Sequence, residues 1–210
     1  MSAIIYLDLA RLKKNFGIVK KIANNSKIMS VIKTNAYGHN ILKVAKSLSG
    51  SDAFAVAEIS EAKILRKNYI KKRIICLQGF ENINELNFCK KNKIEPVIHN
   101  EYQLREVARL KKRSFENIWI KFNTGMNRLG FDVKEANNIF KKIYGVSEKI
   151  NLMTHFSDAD EKFDKKTNKQ LRLFNSILST EKMEKSLSNS AGILKYYNSH
   201  SDWVRPGLLL

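Results

Sequence analysis

Short apolar runs alternate with amphipathic stretches from one end of the chain to the other. Apolar positions recur at helical spacing over residues 9–23 (Leu9, Leu12, Phe16, Val19, Ile22), which predicts a leading helix. Strand-like runs follow at 28–33, 53–56, 74–77, 95–98, 118–122, 150–155, 186–190 and 203–204. Helical patterns fill the gaps at 41–48, 59–67, 82–92, 101–111, 133–143 and 166–179, with a short one after Ser190. Such alternation predicts a parallel sheet with helices outside it, because each parallel crossover needs a helix-length connection. Eight units fit a (β/α)8 barrel; a doubly wound open sheet gives a similar string.

The polar residues at the strand ends separate those two folds. Lys33 closes the first run, Lys121 the fifth and His155 the sixth; Asn189 and Ser190 end the seventh, and Arg205 follows the eighth. In a barrel all of them converge on one rim, the rim where barrel active sites are built. A lysine ending an apolar strand is expensive to desolvate unless it has a partner or a covalent task. Taken alone, Lys33 reads as a side chain snorkelling into solvent. Its surroundings change that. A small residue, Tyr37 and a Gly38-His39 turn follow, which suits a lysine forming a Schiff base with a bound aldehyde and a tyrosine hydroxyl close to the same ligand. Phosphate sites in barrels often lie after strands seven and eight, here Asn189-Ser190-Ala191-Gly192 and Arg205-Pro206-Gly207. An aldehyde-binding lysine and a phosphate cradle together describe a pyridoxal phosphate site.

Composition narrows the alternatives. A chain of 210 residues can bury a full core as one large domain or two small ones. The net charge of +18 raises nucleic-acid binding as a hypothesis. However, the basic pairs (Lys20-Lys21, Lys90-Lys91 and Lys141-Lys142 among them) recur near predicted helix ends, where cations complement the helix dipole. No recognition-helix, zinc-finger or aromatic RNA-binding signature accompanies them, so a nucleic-acid partner is not expected. Apolar runs fall short of a membrane span, and Cys76 and Cys89 lack metal spacing, so a cytoplasmic protein with reduced thiols and no metal is expected.

Five segments carry a resemblance: 31–39 (VIKTNAYGH), 120–130 (IKFNTGMNRLG), 153–160 (MTHFSDAD), 188–191 (SNSA) and 204–207 (VRPG). In this order, over nearly the whole chain, they resemble the alanine racemase family, fold-type III pyridoxal phosphate enzymes. The resemblance implies a cofactor-binding barrel spanning residues 1–210, a C-terminal β domain and a head-to-tail dimer that supplies D-alanine for peptidoglycan. It implies Lys33 as the Schiff-base lysine and the base on the D-alanine face. Tyr37, Asn189, Ser190 and the backbone near Gly207 and Leu208 would hold the cofactor. Arg205 would bond the pyridine nitrogen; a permanent cation there keeps the ring unprotonated, which favours reprotonation at Cα over transamination. His155 would lie on or beside the ring and bond to Arg205. Arg128 would recognise the substrate carboxylate, oriented by Lys121, which many relatives carry as a carbamate.

Departures from the family pattern are mild at Asn40, usually glycine, and Asn123, often aspartate. The chain stops at Leu210, just past the last strand. The expectation is therefore a truncated or split racemase without its last barrel helix, its C-terminal domain and the partner's tyrosine base. Such a chain is expected to bind cofactor weakly, racemise poorly alone and carry an unfinished barrel seam. A non-catalytic cofactor carrier and another fold-type III racemase (serine or broad-specificity) are the alternatives. A carrier has no need for the Arg128 and Lys121 pair.

Overall fold

A computed structural model describes residues 4–161, 165–178 and 183–210. Nine parallel strands form its sheet: β1 (Lys27–Val31), β2 (Ala53–Val56), β3 (Arg73–Cys76), β4 (Ile94–Ile98), β5 (Phe115–Asn123), β6 (Phe131–Asp132), β7 (Ser147–Met153), β8 (Lys185–Ser186) and β9 (Trp203–Val204). The sheet runs β4-β3-β2-β1-β9-β8-β7-β5, and β4 also pairs with β5, so eight strands close a barrel. The two-residue β6 lies outside the ring, paired with β5. Closure rules out the doubly wound alternative. It also corrects the expectation of an unfinished seam, because β9 pairs with β1 through Lys27–Trp203 and Ile28–Val204.

Helices Leu9–Ile22, Ile41–Ser47, Ile59–Lys67, Ile83–Lys91, Glu101–Ala108, Ala136–Lys142, Lys165–Asn175 and Ser190–Lys195 pack around the ring. The expected helix over 166–179 is shorter, Lys165–Asn175, with residues 176–178 no longer helical; its expected last residue, Ser179, lies outside the described residues. Many helix starts are set by asparagine: the side chains of Asn40, Asn82, Asn100 and Asn189 each accept a backbone N–H of the following turn. Basic pairs fall in the last turns of helices Leu9–Ile22, Ile83–Lys91 and Ala136–Lys142. Much of the positive charge therefore complements helix ends.

Strand alternation divides the core in two. Ile28, Phe54, Ile74, Ile98, Ile118 and Leu152 face the helices, while Met29, Val31, Ala55, Ile75, Val97, Trp119, Met153 and Trp203 fill the barrel. At the barrel floor the buried Glu95 carboxylate accepts from Arg73 Nε at 2.6 Å and Trp119 Nε1 at 2.9 Å. The Arg73 guanidinium lies 4.8 Å from the Trp203 ring centre. The bottom is thus plugged, and the open volume lies at the other end. Cys76 and Cys89 are free, buried thiols, and burial pushes Cys89 up to about 12, so neither is a ready nucleophile.

Gly130 fixes the loop between β5 and β6. Its φ is +120°, and a Cβ there would meet Asn123 N at 2.7 Å and Phe122 C at 2.8 Å. Backbone cannot yield as a flexible side chain can. Gly130→Ala is expected to lose about 2 kcal/mol or more of stability through strain and displacement of the loop. A denaturant midpoint equal to that of the parent would contradict this.

Candidate active site

At the rim above the plug lies a cavity of about 600 Å³ lined by all ten expected site residues: Lys33, Tyr37, Lys121, Arg128, His155, Asn189, Ser190, Arg205, Gly207 and Leu208. Val31, Met153 and Asp160, which lie in the segments of resemblance, and Ala57, Leu77 and Gln78, which the sequence does not mark, complete much of the lining.

Lys33 does not close the first strand. β1 ends at Val31, and Lys33 opens a turn in which Thr34, Asn35, Ala36 and Tyr37 all have φ between 52° and 55°. Four consecutive non-glycine residues in the left-handed region are disfavoured one by one and persist only when their surroundings over-determine them. Gly38 N–H donates to the Thr34 carbonyl at 2.9 Å, and the Asn35 side chain accepts from Ile41 N–H at 2.9 Å. Beyond His39, Asn40 is again at positive φ, 71°, the conformation for which glycine is the easier residue. The turn sends Lys33 and Tyr37 to one cavity. An added Cβ at Gly207 would lie 2.3 Å from the Tyr37 hydroxyl, so the phenol rests directly over that glycine.

The seventh run is also corrected. β8 holds only Lys185 and Ser186; Asn189 caps the helix Ser190–Lys195 instead of ending a strand. Ser190 Oγ accepts from Gly207 N–H at 3.0 Å and from Leu209 N–H at 3.3 Å. These bonds orient the hydroxyl and tie the two loops together. His155 lies two residues beyond the end of β7, not within it.

Arg205 is 3% exposed and has no carboxylate partner among the described residues. Its guanidinium donates to Ser186 Oγ at 2.7 Å, to the Thr154 and Leu187 carbonyls, and toward His155 Nδ1 at 3.3 Å. Burial lowers its pKa to about 9, so it remains a cation at neutral pH. Burial, followed by Arg205 and the other cavity cations, drives His155 down to about 2. His155 is therefore neutral, with Nδ1 as acceptor and the proton on Nε2. Lys121 is 7% exposed; burial, then Arg205, Arg128 and Lys33, lower it to about 7. Burial and Arg128 also lower Lys33, opposed by Glu61. Burial raises the Tyr37 phenol, so it stays protonated.

Loop 123–130, which carries Arg128, is braced from both ends. Asn123 Oδ1 accepts from Gly125 and Asn127 N–H, each at 3.0 Å. Thr124 Oγ1 meets Thr154 Oγ1 at 2.8 Å, and the buried Gln170 amide donates to both Thr124 Oγ1 and the His155 carbonyl. Gln170 comes from a distant helix and has no local signal in the sequence.

The chain is similar to known proteins along nearly its whole length. The sequence profile of the alanine racemase N-terminal domain matches residues 7–210. The alanine racemase of Aeromonas hydrophila subsp. hydrophila is 37% identical over 212 aligned residues, which cover 100% of this chain and 59% of that protein. The alanine racemase structure from Acinetobacter baumannii superposes with a TM-score of 0.91 at 33% identity, covering 97% of this chain and 58% of that one. That from Bartonella henselae, which has covalently bound pyridoxal phosphate, gives a TM-score of 0.84 at 28% identity over 96% of this chain and 58% of its own. The chain thus spans a little over half the length of the relatives it matches.

Proposed function

Because this chain belongs to the alanine racemase family through its N-terminal domain, we propose that its barrel binds pyridoxal phosphate and forms the cofactor-bearing part of an enzyme interconverting L- and D-alanine. One observation carries the reading: Lys33, Lys121, Arg128 and Arg205 line a single cavity with a tyrosine, a serine and a close-packed glycine, and among the described residues Asp160 is the one acid in its lining. Such a donor set suits a ligand with a phosphate, a phenolic oxygen and a substrate carboxylate. The residues fit the cofactor.

When bound, pyridoxal phosphate supplies an electrophilic aldehyde and a ring that withdraws electrons from the substrate Cα. The Lys33 amine, with its lowered pKa, would hold the aldehyde carbon and, when free, would serve as the base for the Cα proton on one face. Tyr37 Oη and Ser190 Oγ, gathered by the contacts described above, would hold the phosphate, with Gly207 N–H joining them once it exchanges its bond to Ser190 Oγ. Arg205, still cationic at neutral pH, donates to the ring nitrogen and cannot take a proton from it. His155 stays neutral and would pack beside the ring; with a pKa near 2 it is no proton donor at Cα. Racemisation needs a second acid–base group on the opposite face, and that group is sought in a partner subunit. Arg128 takes the substrate carboxylate. Lys121, near pKa 7, is partly unprotonated in neutral solution. Its nitrogen can bond to carbon dioxide with loss of a proton, and the resulting carbamate is an acceptor for Arg128.

The test is direct. The chain mixed with pyridoxal phosphate should develop a visible absorbance band that borohydride bleaches, with the added mass on the peptide containing Lys33. Optical rotation of L-alanine incubations then separates a racemase from a carrier. No band and no added mass would sink the reading.

A further inference from the structure

We propose that Glu61 is a positioning residue for Lys33, a two-handed clamp that holds the left-handed turn against the rim of β2. Glu61 sits in the first turn of helix Ile59–Lys67. One carboxylate oxygen accepts the Asn35 N–H at 2.9 Å, in the middle of the strained turn. The other accepts the Ala57 N–H at 2.9 Å, just beyond β2 and in the cavity lining. The Ala57 contact is what a glutamate near a helix start commonly makes with its own N-terminus. The Asn35 contact has no such local cause, since it joins two different units of the barrel.

Geometry explains why the turn needs it. Thr34, Asn35 and Ala36 hold φ near 54°, and Thr34 is β-branched, so the segment left to itself would relax to negative φ and swing Lys33 and Tyr37 apart. A charge-assisted acceptor fixed by a helix opposes that relaxation at its centre. The same carboxylate acts on the Lys33 amine. Arg128 lowers the amine from the far side of the cavity and Glu61 raises it, with Lys121, His155 and Arg205 also facing the space and Asp160 on its lining. Glu61 thus sets where Lys33 points and moderates how far its basicity falls.

The proposal rests on Lys33 being the cofactor lysine, and the experiment separates the two. In the full chain, Glu61→Gln and Glu61→Ala are compared with Glu58→Gln, a control on the same helix start. Amide exchange at Asn35 is expected to quicken about tenfold in Glu61→Gln, the loss of one charge-assisted hydrogen bond. The pH profile of borohydride-trapped pyridoxal phosphate at Lys33 should move to lower pH. Adding Thr34→Gly, which tolerates positive φ but gives the Asn35 N–H no new acceptor, should leave both the exchange and the pH profile shifted. Because Glu61→Gln is isosteric, it keeps the test valid if Glu61→Ala does not fold. Unchanged Asn35 exchange together with an unmoved profile overturns the proposal. If wild-type label appears on a residue other than Lys33, the cofactor reading fails, while the exchange result still decides the clamp.

Discussion

In a Lys33→Ala chain, covalent capture of pyridoxal phosphate is expected to fall to background, although a second and more easily deprotonated amine lines the same cavity. Lys121 titrates near 7, so on protonation alone it is the readier nucleophile at neutral pH. Geometry reverses the preference. Lys121 is buried among Arg128, Arg205 and Lys33, whereas Lys33 is only partly buried and shares its turn with Tyr37, whose hydroxyl rests on Gly207 beside Ser190. On the proposed reading, a phosphate held by those groups would present the aldehyde to Lys33 rather than to Lys121. Trypsin mapping after borohydride reduction reads the outcome. Label that persists in Lys33→Ala on the peptide carrying Lys121 would falsify the assignment of the aldehyde to Lys33 and point to the strand β5 amine.

The second large effect concerns stability. Lys121→Met is expected to stabilise the ligand-free chain at neutral pH by a few kcal/mol, measured in carbon-dioxide-free buffer. The sign follows from linkage. Lys121 has a folded pKa of about 7 against an ordinary 10.5, so between those values the unfolded chain binds more protons and stability rises with pH. Below pH 7 the folded state carries the full penalty of a desolvated ammonium among cations, on the order of 5 kcal/mol at most for a shift of this size. The parent should gain stability between about pH 7 and 10.5, and Lys121→Met should lose most of that slope. Burial and Arg128 act on Lys33 in the same sense, so a smaller slope persists. A variant less stable than the parent at pH 7, or one with the same slope, would refute the idea that the cavity stores unfavourable charge.

That stored charge is also what makes the site legible in the sequence. Polar and cationic residues read at the ends of apolar runs are anomalous locally and make sense only if the strands share a rim, which is how Lys33, Lys121, His155 and Arg205 argue for a barrel. Alternation also predicts the helices well, because burial on one face is a periodic signal that survives without knowledge of neighbours. The turn after β1 is not readable in this way. Apart from Asn35, nothing in Thr34-Asn35-Ala36-Tyr37 favours left-handed backbone, and Glu61, which supports it, is remote in sequence. For the same reason the supports of Arg205 at Ser186, Thr154 and Leu187 leave no trace in the residue pattern, nor does Gln170 bridging two loops. The seventh strand reads too long because Leu187 and Ser188 are buried like strand residues, although Asn189 has already turned to start a helix.

The join between β9 and β1 bears on how the molecule is assembled. Val31 N–H donates to the Pro206 carbonyl at 2.8 Å, so the first and last strands meet where Lys33 and Arg205 enter the cavity. The pocket can therefore take shape only after two segments far apart in the sequence have found each other, a slow, long-range event in any fold. Conversely, a molecule gripped by the amine on one side and the guanidinium on the other would act as a clasp. It would close the part of the ring with the most to lose from spontaneous opening, and its protective effect would be felt in these two strands before any other.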